Sequence, residues 1–149
     1  MLVSREDVLK YIPQRPPIVV VHGLISHSEN SSTSEFHVEE YHLFVRDGKL
    51  LESGIMENIA QTSALRSGYH FAQQISGEGE MKDPPIGFIG GLKNFRIDEL
   101  PEVGSVLKTT VTVTYEIMGM QVVESVVECN GKTIAECEMK IFLSQEKRD

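Results

Sequence analysis

The spacing of apolar and polar residues changes along the chain from a helical period to a strand period. Around the middle, Ile55, Met56 and Ile59 recur with small residues at intervals of three and four. This spacing predicts a helix over about 53–75, with Ser53 as its N-cap. Beyond residue 85, apolar and polar residues alternate, as they do in half-buried strands. A long helix followed by a β-rich half is therefore expected.

The β-rich half divides into four predicted strands. Gly90-Gly91 interrupts the first of them, Met118-Gly119-Met120 is predicted to be a turn, and Asn130-Gly131 is typical of a two-residue hairpin. The predicted strands are 86–95, 106–117, 121–129 and 133–143.

The N-terminal part is predicted to hold a short helix over 4–12, with Ser4 and Asp7 as a capping pair. A β-branched run predicts a strand over 18–25, and alternation predicts a half-exposed strand over 31–41. A polar loop rich in Gly and Pro is expected over 76–85, and a polar tail over 144–149.

This order of elements predicts one α+β domain over residues 1–149. Consecutive strands joined by hairpins form antiparallel sheets, and a single long helix must pack on one face of such a sheet. A strongly curved sheet wrapped around a central helix satisfies both requirements.

The charge balance narrows the possible partners. The net charge is −8 and the isoelectric point about 5.1, which disfavours nucleic acid because phosphate contacts need a basic surface. No apolar run approaches a membrane span, and the N-terminus lacks a signal-peptide pattern, so the cytoplasm is the expected compartment. An acidic carrier would need a local basic patch, for which the candidates are Arg46, Lys49, Arg66, Lys93 and Arg96.

The spacing of Cys129 and Cys137 matches no zinc motif, and the two would not face each other across the hairpin, so we expect reduced thiols. The histidines other than His42 have no ligand spacing. Neither a metal site nor a cofactor motif is predicted.

One carboxylate stands out in the predicted helix. Glu57 lies in its first turns among apolar and small residues, and a carboxylate is costly to bury unless it is paired or used. Gln61 follows four residues later on the same stripe, where it can hydrogen-bond and orient Glu57. The structural alternative is an acid that merely stabilises the helix dipole.

Five strings, in this order, resemble the hotdog-fold family of beta-hydroxyacyl-[acyl-carrier-protein] dehydratases. Glu57-Asn58-Ile59-Ala60-Gln61 resembles the helix signature of that family, and the collinear likeness extends over about residues 8–143. The strings are Tyr11–Pro17, Glu57–Gln61, Gly87–Arg96, Glu102–Ser105 and Asn130–Glu138.

The resemblance implies a homodimer, or a larger assembly of dimers, with active sites at the subunit interface. A heterodimer with a related hotdog subunit is a further arrangement. The implied substrate is a 3-hydroxyacyl thioester on acyl carrier protein or coenzyme A, so the phosphopantetheine belongs to the substrate and the protein needs no cofactor. A histidine removes the C2 proton, the helix glutamate helps the hydroxyl leave, and backbone N–H groups near Gly54 polarise the carbonyl.

The chain departs from the family pattern before the helix. The family's histidine loop is replaced by Phe44–Gly54, which contains neither histidine nor proline. His42 is therefore the candidate base, with a structural role at a strand end as the alternative. Asp47 is a candidate replacement base or water-positioning residue, although Asp-Gly is also a turn signal.

Two glycines of the first late strand complete the candidate site. Gly90 and Gly91 either permit close approach of the thioester arm or mark a bulge that helps the sheet to curl.

Three functions follow from these residues. The leading prediction is dehydration of a 3-hydroxyacyl-[acyl-carrier-protein] in fatty acid or related lipid or polyene biosynthesis. The alternatives are a non-catalytic acyl-binding hotdog subunit that completes a partner's site, and an acyl thioesterase that directs water with Glu57 and Asp47.

Overall fold

A six-stranded antiparallel sheet packs against one long helix. The computed structural model describes residues 1–74 and 86–144. The sheet order is β1-β2-β6-β7-β8-β5, and β3 and β4 form a separate two-stranded hairpin. The elements are a 3-10 turn Val8–Lys10, β1 Gly23–His27, β2 Ser31–His37, β3 Val45–Arg46, β4 Lys49–Leu50, α1 Glu52–Gln74, β5 Ile86–Ile97, β6 Val106–Ile117, β7 Met120–Cys129 and β8 Lys132–Ser144.

The late hairpins form where the sequence places residues that tolerate a positive φ. Asn130 and Gly131 have φ of 54° and 76°, and Met118 and Gly119 have φ of 48° and 82°. Positive φ at both central residues is the requirement of the two-residue turn that matches strand twist. Both predicted turns are therefore confirmed.

Irregular pairing allows the sheet to curve around the helix. The register shifts between Ile89 and Gly91 and again between Lys93 and Arg96 of β5. Another shift separates Val113 from Tyr115 of β6. Such bulges bend a strand and increase its local twist.

The main core lies between α1 and the concave face of the sheet. Ile55 and Ile59 of α1 are fully buried against Phe36, Leu107 and other side chains that alternate along the strands. This packing confirms the predicted helix and the α+β architecture of a sheet wrapped around it.

A second apolar cluster joins the N-terminal segment to the later turns of α1. Val8, Ile12 and Leu24 pack with Leu65. At Gly68 a Cβ atom would lie 2.0 Å from the Tyr11 carbonyl oxygen, so the close approach of the two backbones requires glycine at this position.

Three predictions for the N-terminal part are wrong in extent. The strand predicted over 31–41 ends at His37, because the chain then turns, with the His42 N–H bonded to Glu39 O. The predicted helix over 4–12 is only a three-residue 3-10 turn, Val8–Lys10. The predicted strand over 18–25 begins only at Gly23, because the backbone at Ile18 and Val20 bonds side chains of α1 instead of a neighbouring strand. The short β3–β4 hairpin was not predicted as a pair of strands.

The two cysteines do not face each other across the hairpin, as the sequence predicts. Cys129 and Cys137 are both buried and free. In the β7–β8 register Cys129 lies opposite Lys132 and Cys137 opposite Ser125. The predicted loop over 76–85 and residues 145–149 of the predicted tail lie outside the described residues.

Candidate active site

A cavity of about 250 Å³ lies beside α1, where the helix faces β5 and β8. Small residues on one helix face leave this space open, since they cannot fill the gap to the strands. Phe88 and Ile89 of β5 and Ile141 and Leu143 of β8 form its apolar wall. Pro13 and Gln14 close it on the N-terminal side. The helix residues that line it are Glu57, Ala60, Ser63, Ala64 and Ser67.

Glu57 supplies the acidic group of the cavity. Its Oε2 atom accepts a hydrogen bond from Gln61 Nε2 at 2.8 Å, as the spacing of the two residues predicts. Among the described residues no titratable side chain other than Glu57 lines this space. The second carboxylate oxygen has no hydrogen-bond partner there and is available to a ligand.

The amide of Gln61 is held in one orientation. Its Oε1 atom accepts the backbone N–H of Val20 at 2.7 Å, so Nε2 must point away, and it donates to both Ile18 O and Glu57. The side chain is fully buried. Gln61, predicted to bind substrate, has its amide oxygen and both amide hydrogens engaged within the chain.

Asn58 ties the same segment to the sheet. Asn58 Nδ2 donates to Val20 O at 2.8 Å, and its Oδ1 accepts from the Thr109 hydroxyl at 2.5 Å. Thr62 and Ser34 share a buried hydrogen bond one turn later. These contacts fix the helix face opposite the cavity.

His42 does not line the Glu57 cavity. Its Nε2–H donates to Val19 O at 2.8 Å, and its Nδ1 accepts the backbone N–H of Phe44 at 3.1 Å. Both ring nitrogens are therefore engaged with backbone groups, Nε2 as the donor and Nδ1 as the acceptor. A single chain does not bring the candidate base and Glu57 into one site.

Asp47 occupies the turn between β3 and β4. It is exposed and has φ of 53°, followed by Gly48 with φ of 77°. These are the two central positions of the hairpin that pairs Arg46 with Lys49. Its turn role is thus evident, and its carboxylate points to no cavity formed by the described part of this chain.

The three predicted glycines have different surroundings. A Cβ at Gly54 would lie within 2.6 Å of Leu50, so this glycine lets the β3–β4 hairpin approach the helix start, and its N–H donates to Leu51 O. A Cβ at Gly90 would overlap the Phe142 ring, whereas Gly91 has open space around it. The register shift at this point favours the bulge interpretation for the pair.

Not all five cations of the expected basic patch are exposed and unpaired in the fold. Arg66 is only 5% exposed and donates to the Glu29 carbonyl oxygen, so it is not a surface residue. Arg96 is paired with Asp98 and Glu136. Of the five candidates, Arg46, Lys49 and Lys93 remain as exposed cations without an ion pair among the described residues.

A larger and more open cavity, about 520 Å³, lies on the other side of residues 16–22. His42 and His22 both line it. Burial, with the nearby Arg5 charge, lowers the pKa of His22 to about 4. Its Nδ1 accepts the His37 N–H, and Nε2 lies 3.4 Å from the Glu39 carboxylate.

Two polar residues of the Glu57 cavity were missed by sequence reasoning. The Ser63 hydroxyl and the Gln14 Oε1 atom are buried without a hydrogen-bond partner among the described residues, and both residues line the cavity. Ser63 is one of several small residues at helical spacing, and Gln14 lies in an irregular segment. Neither position carries a sequence signal that separates it from structural residues.

The description "ApeP-like: ApeP dehydratase" belongs to the family model that matches residues 6–149. The chain belongs to the ApeP-like dehydratase family. A search of curated proteins finds no match.

Solved structures share the architecture at low identity. The dehydratase heterocomplex ApeI:P from Xenorhabdus doucetiae matches with a TM-score of 0.81 at 20% identity, over 93% of this chain and 91% of that chain. A hypothetical thioesterase from Streptococcus pneumoniae, solved with coenzyme A, matches with a TM-score of 0.64 at 9% identity, over 84% and 87%. The PaaI protein of the Escherichia coli phenylacetic acid degradation operon matches with a TM-score of 0.62 at 12% identity, over 80% of each chain.

These structural matches establish the fold. Six antiparallel strands around one helix are the hotdog fold, as the resemblance predicts. Within residues 1–74 and 86–144, no group of three or more His, Cys, Asp or Glu side chains is placed to hold a metal ion. The helices of that part of the chain are too short or too polar to cross a bilayer.

Proposed function

We propose that this protein takes part in the dehydration of 3-hydroxyacyl thioesters, with Glu57 as the acid. The observation that carries the proposal is the Glu57 carboxylate in an otherwise apolar and small-residue cavity, oriented by Gln61. Membership of a dehydratase family supports the reaction class. The finer substrate, a thioester on acyl carrier protein or coenzyme A, follows from the resemblance.

The reaction needs one acid and one base but no bound cofactor. A base removes the C2 proton, the C2 electron pair forms the C2=C3 double bond, and the C3–O bond breaks. Glu57 gives its proton to the departing hydroxyl, which leaves as water. The phosphopantetheine is part of the substrate.

The base is proposed to come from a partner chain. Glu57 is the cavity's single titratable lining group among the described residues, and both His42 nitrogens are already bonded. The exposed Asp47 turn of a second subunit is one candidate. The family's interfacial active site gives a partner subunit this role.

The β5 edge supports such a partner. Among the described residues, β5 pairs only with β8, which leaves the other edge of this 12-residue strand unpaired within that part of the chain. Phe88 is 59% exposed there, and Ile89 and Leu92 are also exposed. Long apolar edge strands are templates for pairing with another chain. We propose a dimer through this edge, either with a second copy or with a related hotdog chain.

A non-catalytic subunit is the second candidate function. The Glu57 cavity holds half of an acid–base pair in the described residues, and the similar ApeI:P structure is a heterocomplex. In that case the protein would complete or support the site of its partner. A thioesterase is a third outcome that the experiment below separates from both.

The deciding experiment is conversion of a 3-hydroxyacyl-[acyl-carrier-protein] by the purified protein, followed by mass spectrometry. Loss of water is expected, and Glu57→Gln should lower its rate by about 10²-fold or more because the acid is removed. The matched control is Glu52→Gln, which changes an exposed acid in the first turn of the same helix.

Each alternative has its own result. Release of free acid would identify a thioesterase. No reaction alone, but dehydration with an added related hotdog chain that is equally fast with Glu57→Gln, would identify a supporting subunit. Full turnover by Glu57→Gln would exclude Glu57 from the chemistry.

A further inference from the structure

Two histidines meet near the C-terminal end of α1, at the opposite end of the helix from Glu57. His27 is the last residue of β1, and His70 lies four residues before Gln74, the last described residue of α1. His27 Nε2 and His70 Nδ1 face each other at 3.4 Å. Both residues are half-buried, and neither lines the Glu57 cavity. The proposed dehydration has no use for this pair.

The outer ring nitrogen of each histidine has a partner of its own. His27 Nδ1 lies 2.7 Å from the Ser32 hydroxyl, and His70 Nε2 lies 3.1 Å from the side-chain amide of Gln74. Turning that amide about its terminal bond presents its oxygen to His70. A hydroxyl and an amide oxygen both accept an N–H, so both outer nitrogens can carry the ring proton. The two facing nitrogens then both present lone pairs.

The distance between the facing nitrogens fits a shared metal ion. At 3.4 Å it is longer than the roughly 3.0 Å of an ordinary hydrogen bond from nitrogen. Two nitrogens that bind one tetrahedral zinc ion at about 2.0–2.1 Å lie about 3.3–3.4 Å apart. An ion can therefore bind both rings without a shift of either backbone. Imidazole nitrogen suits Zn²⁺, Cu²⁺ and Ni²⁺.

The surroundings indicate a weak and open site. Within the described ranges, no third His, Cys, Asp or Glu side chain is placed to complete a metal-binding group, so water must fill the remaining positions. Burial, followed by the charges of Arg66 and His70, lowers the pKa of His27. The same Arg66 charge opposes a bound cation and reduces its affinity.

We propose that His27 and His70 form a binding site for a divalent transition-metal ion, which joins the end of β1 to α1. The ion binds His27 Nε2 and His70 Nδ1, while Ser32 and Gln74 accept the outer N–H groups. Outer partners of this kind fix the orientation of metal-binding histidines. The two ligands are 43 residues apart in the sequence, so the ion binds the folded chain in preference to the unfolded one and stabilises it.

The test titrates the full chain, without an affinity tag, with Zn²⁺ alone. Calorimetry should give one ion per chain, and Zn²⁺ should raise the urea midpoint. His27→Gln and His70→Gln each leave a single imidazole. Each should lower the affinity by about 10-fold or more, since loss of an outer partner alone costs that much. The rise in the urea midpoint should shrink in the same two variants.

The matched control is His37→Gln. His37 is an exposed histidine that pairs with Glu35 and lies beside His22, with 5.8 Å between the ring centroids. It therefore belongs to the other close pair of histidines. This variant should keep the affinity for Zn²⁺ and the rise in the urea midpoint.

Three results would overturn the site. The first is the absence of Zn²⁺ binding at millimolar concentration, which would leave the two rings as a weakly hydrogen-bonded pair. The second is unchanged affinity in His27→Gln and His70→Gln, which would place the ion elsewhere. The third is an equal loss of affinity in His37→Gln. The dehydration assay reads the Glu57 cavity independently, because neither His27 nor His70 lines it.

Discussion

Over residues 57–63, the two faces of α1 differ in whether their polar side chains are hydrogen-bonded. On the face toward residues 18–20, Asn58, Gln61 and Thr62 are fully buried and all are hydrogen-bonded. On the cavity face, Ser63 is almost as buried but has no partner among the described residues, and Glu57 keeps one oxygen free. We call these the bonded face and the cavity face.

The difference separates polar residues that hold the fold from the Glu57 carboxylate, which keeps an oxygen free for a ligand. A satisfied buried network positions structure, whereas an unsatisfied buried group costs stability. Proteins accept such local costs at functional sites. Gln61 connects the two faces, because the amide that anchors residues 18 and 20 also orients Glu57.

The largest expected effect on stability is at Asn58, on the bonded face. Asn58→Ala would leave the Val20 carbonyl and the Thr109 hydroxyl buried without partners. We expect a loss of about 3 kcal/mol in the free energy of unfolding, measured by urea denaturation. Ser125→Ala, which removes a buried hydroxyl without a partner among the described residues, is the comparison. A similar cost for both variants would contradict the distinction between the faces.

The second expected effect is a pH dependence of stability that arises from His22, which follows the segment hydrogen-bonded to the bonded face. Its pKa is lowered to about 4 in the fold, by burial and then by Arg5, against an ordinary value of 6.5. The unfolded chain then binds more protons between these values, so stability falls as pH drops from 6.5 towards 4. By pH 5 this group should remove about 2 kcal/mol relative to pH 8.

The check is urea denaturation across this range for the wild type and for His22→Asn, which keeps an acceptor for the His37 N–H. The variant should lose the part of the pH dependence between 6.5 and 5. The nearby groups Arg5, His37, Glu39 and His42 are unchanged in both proteins. Identical pH profiles would show that His22 is not held neutral by the fold.

The smallest effect is expected at His42. His42→Ala removes hydrogen bonds to Val19 O and the Phe44 N–H, so we expect a loss of about 1 kcal/mol in stability and less than a 10-fold change in dehydration rate. A loss of rate of about 10²-fold at unchanged stability would identify His42 as the base. The reaction would then involve a residue outside the Glu57 cavity.

Periodicity was sufficient where local pattern and tertiary packing agree. The helix over Glu52–Gln74 and the strands from residue 86 onward lie within one or two residues of their predicted bounds, because the alternating residues are also the ones the core buries. The β-branched run at Ile18–Val21 was wrongly predicted to be part of a strand. It has strand propensity, but the buried amides of Asn58 and Gln61 take its backbone groups.

The candidate site was likewise only partly predictable from the sequence. Glu57 and its Gln61 partner were evident from a carboxylate and an amide at i, i+4 in a buried helix. Ser63 and Gln14 were not, since a hydroxyl's lack of a partner depends on residues far away in the chain. The buried state of Arg66 was also missed because the sequence does not show which helix face meets the sheet.

The sequence by itself determined the order of elements, the antiparallel sheet around one helix, the turns at residues 118–119 and 130–131, and the carboxylate at residue 57. These depend on short-range periodicity and on residue types that tolerate particular backbone angles. Only the tertiary structure decided that Ser63 and Gln14 share a cavity with Glu57 and that His42 does not. Hydrogen-bond satisfaction is a property of long-range contacts, which no local pattern specifies.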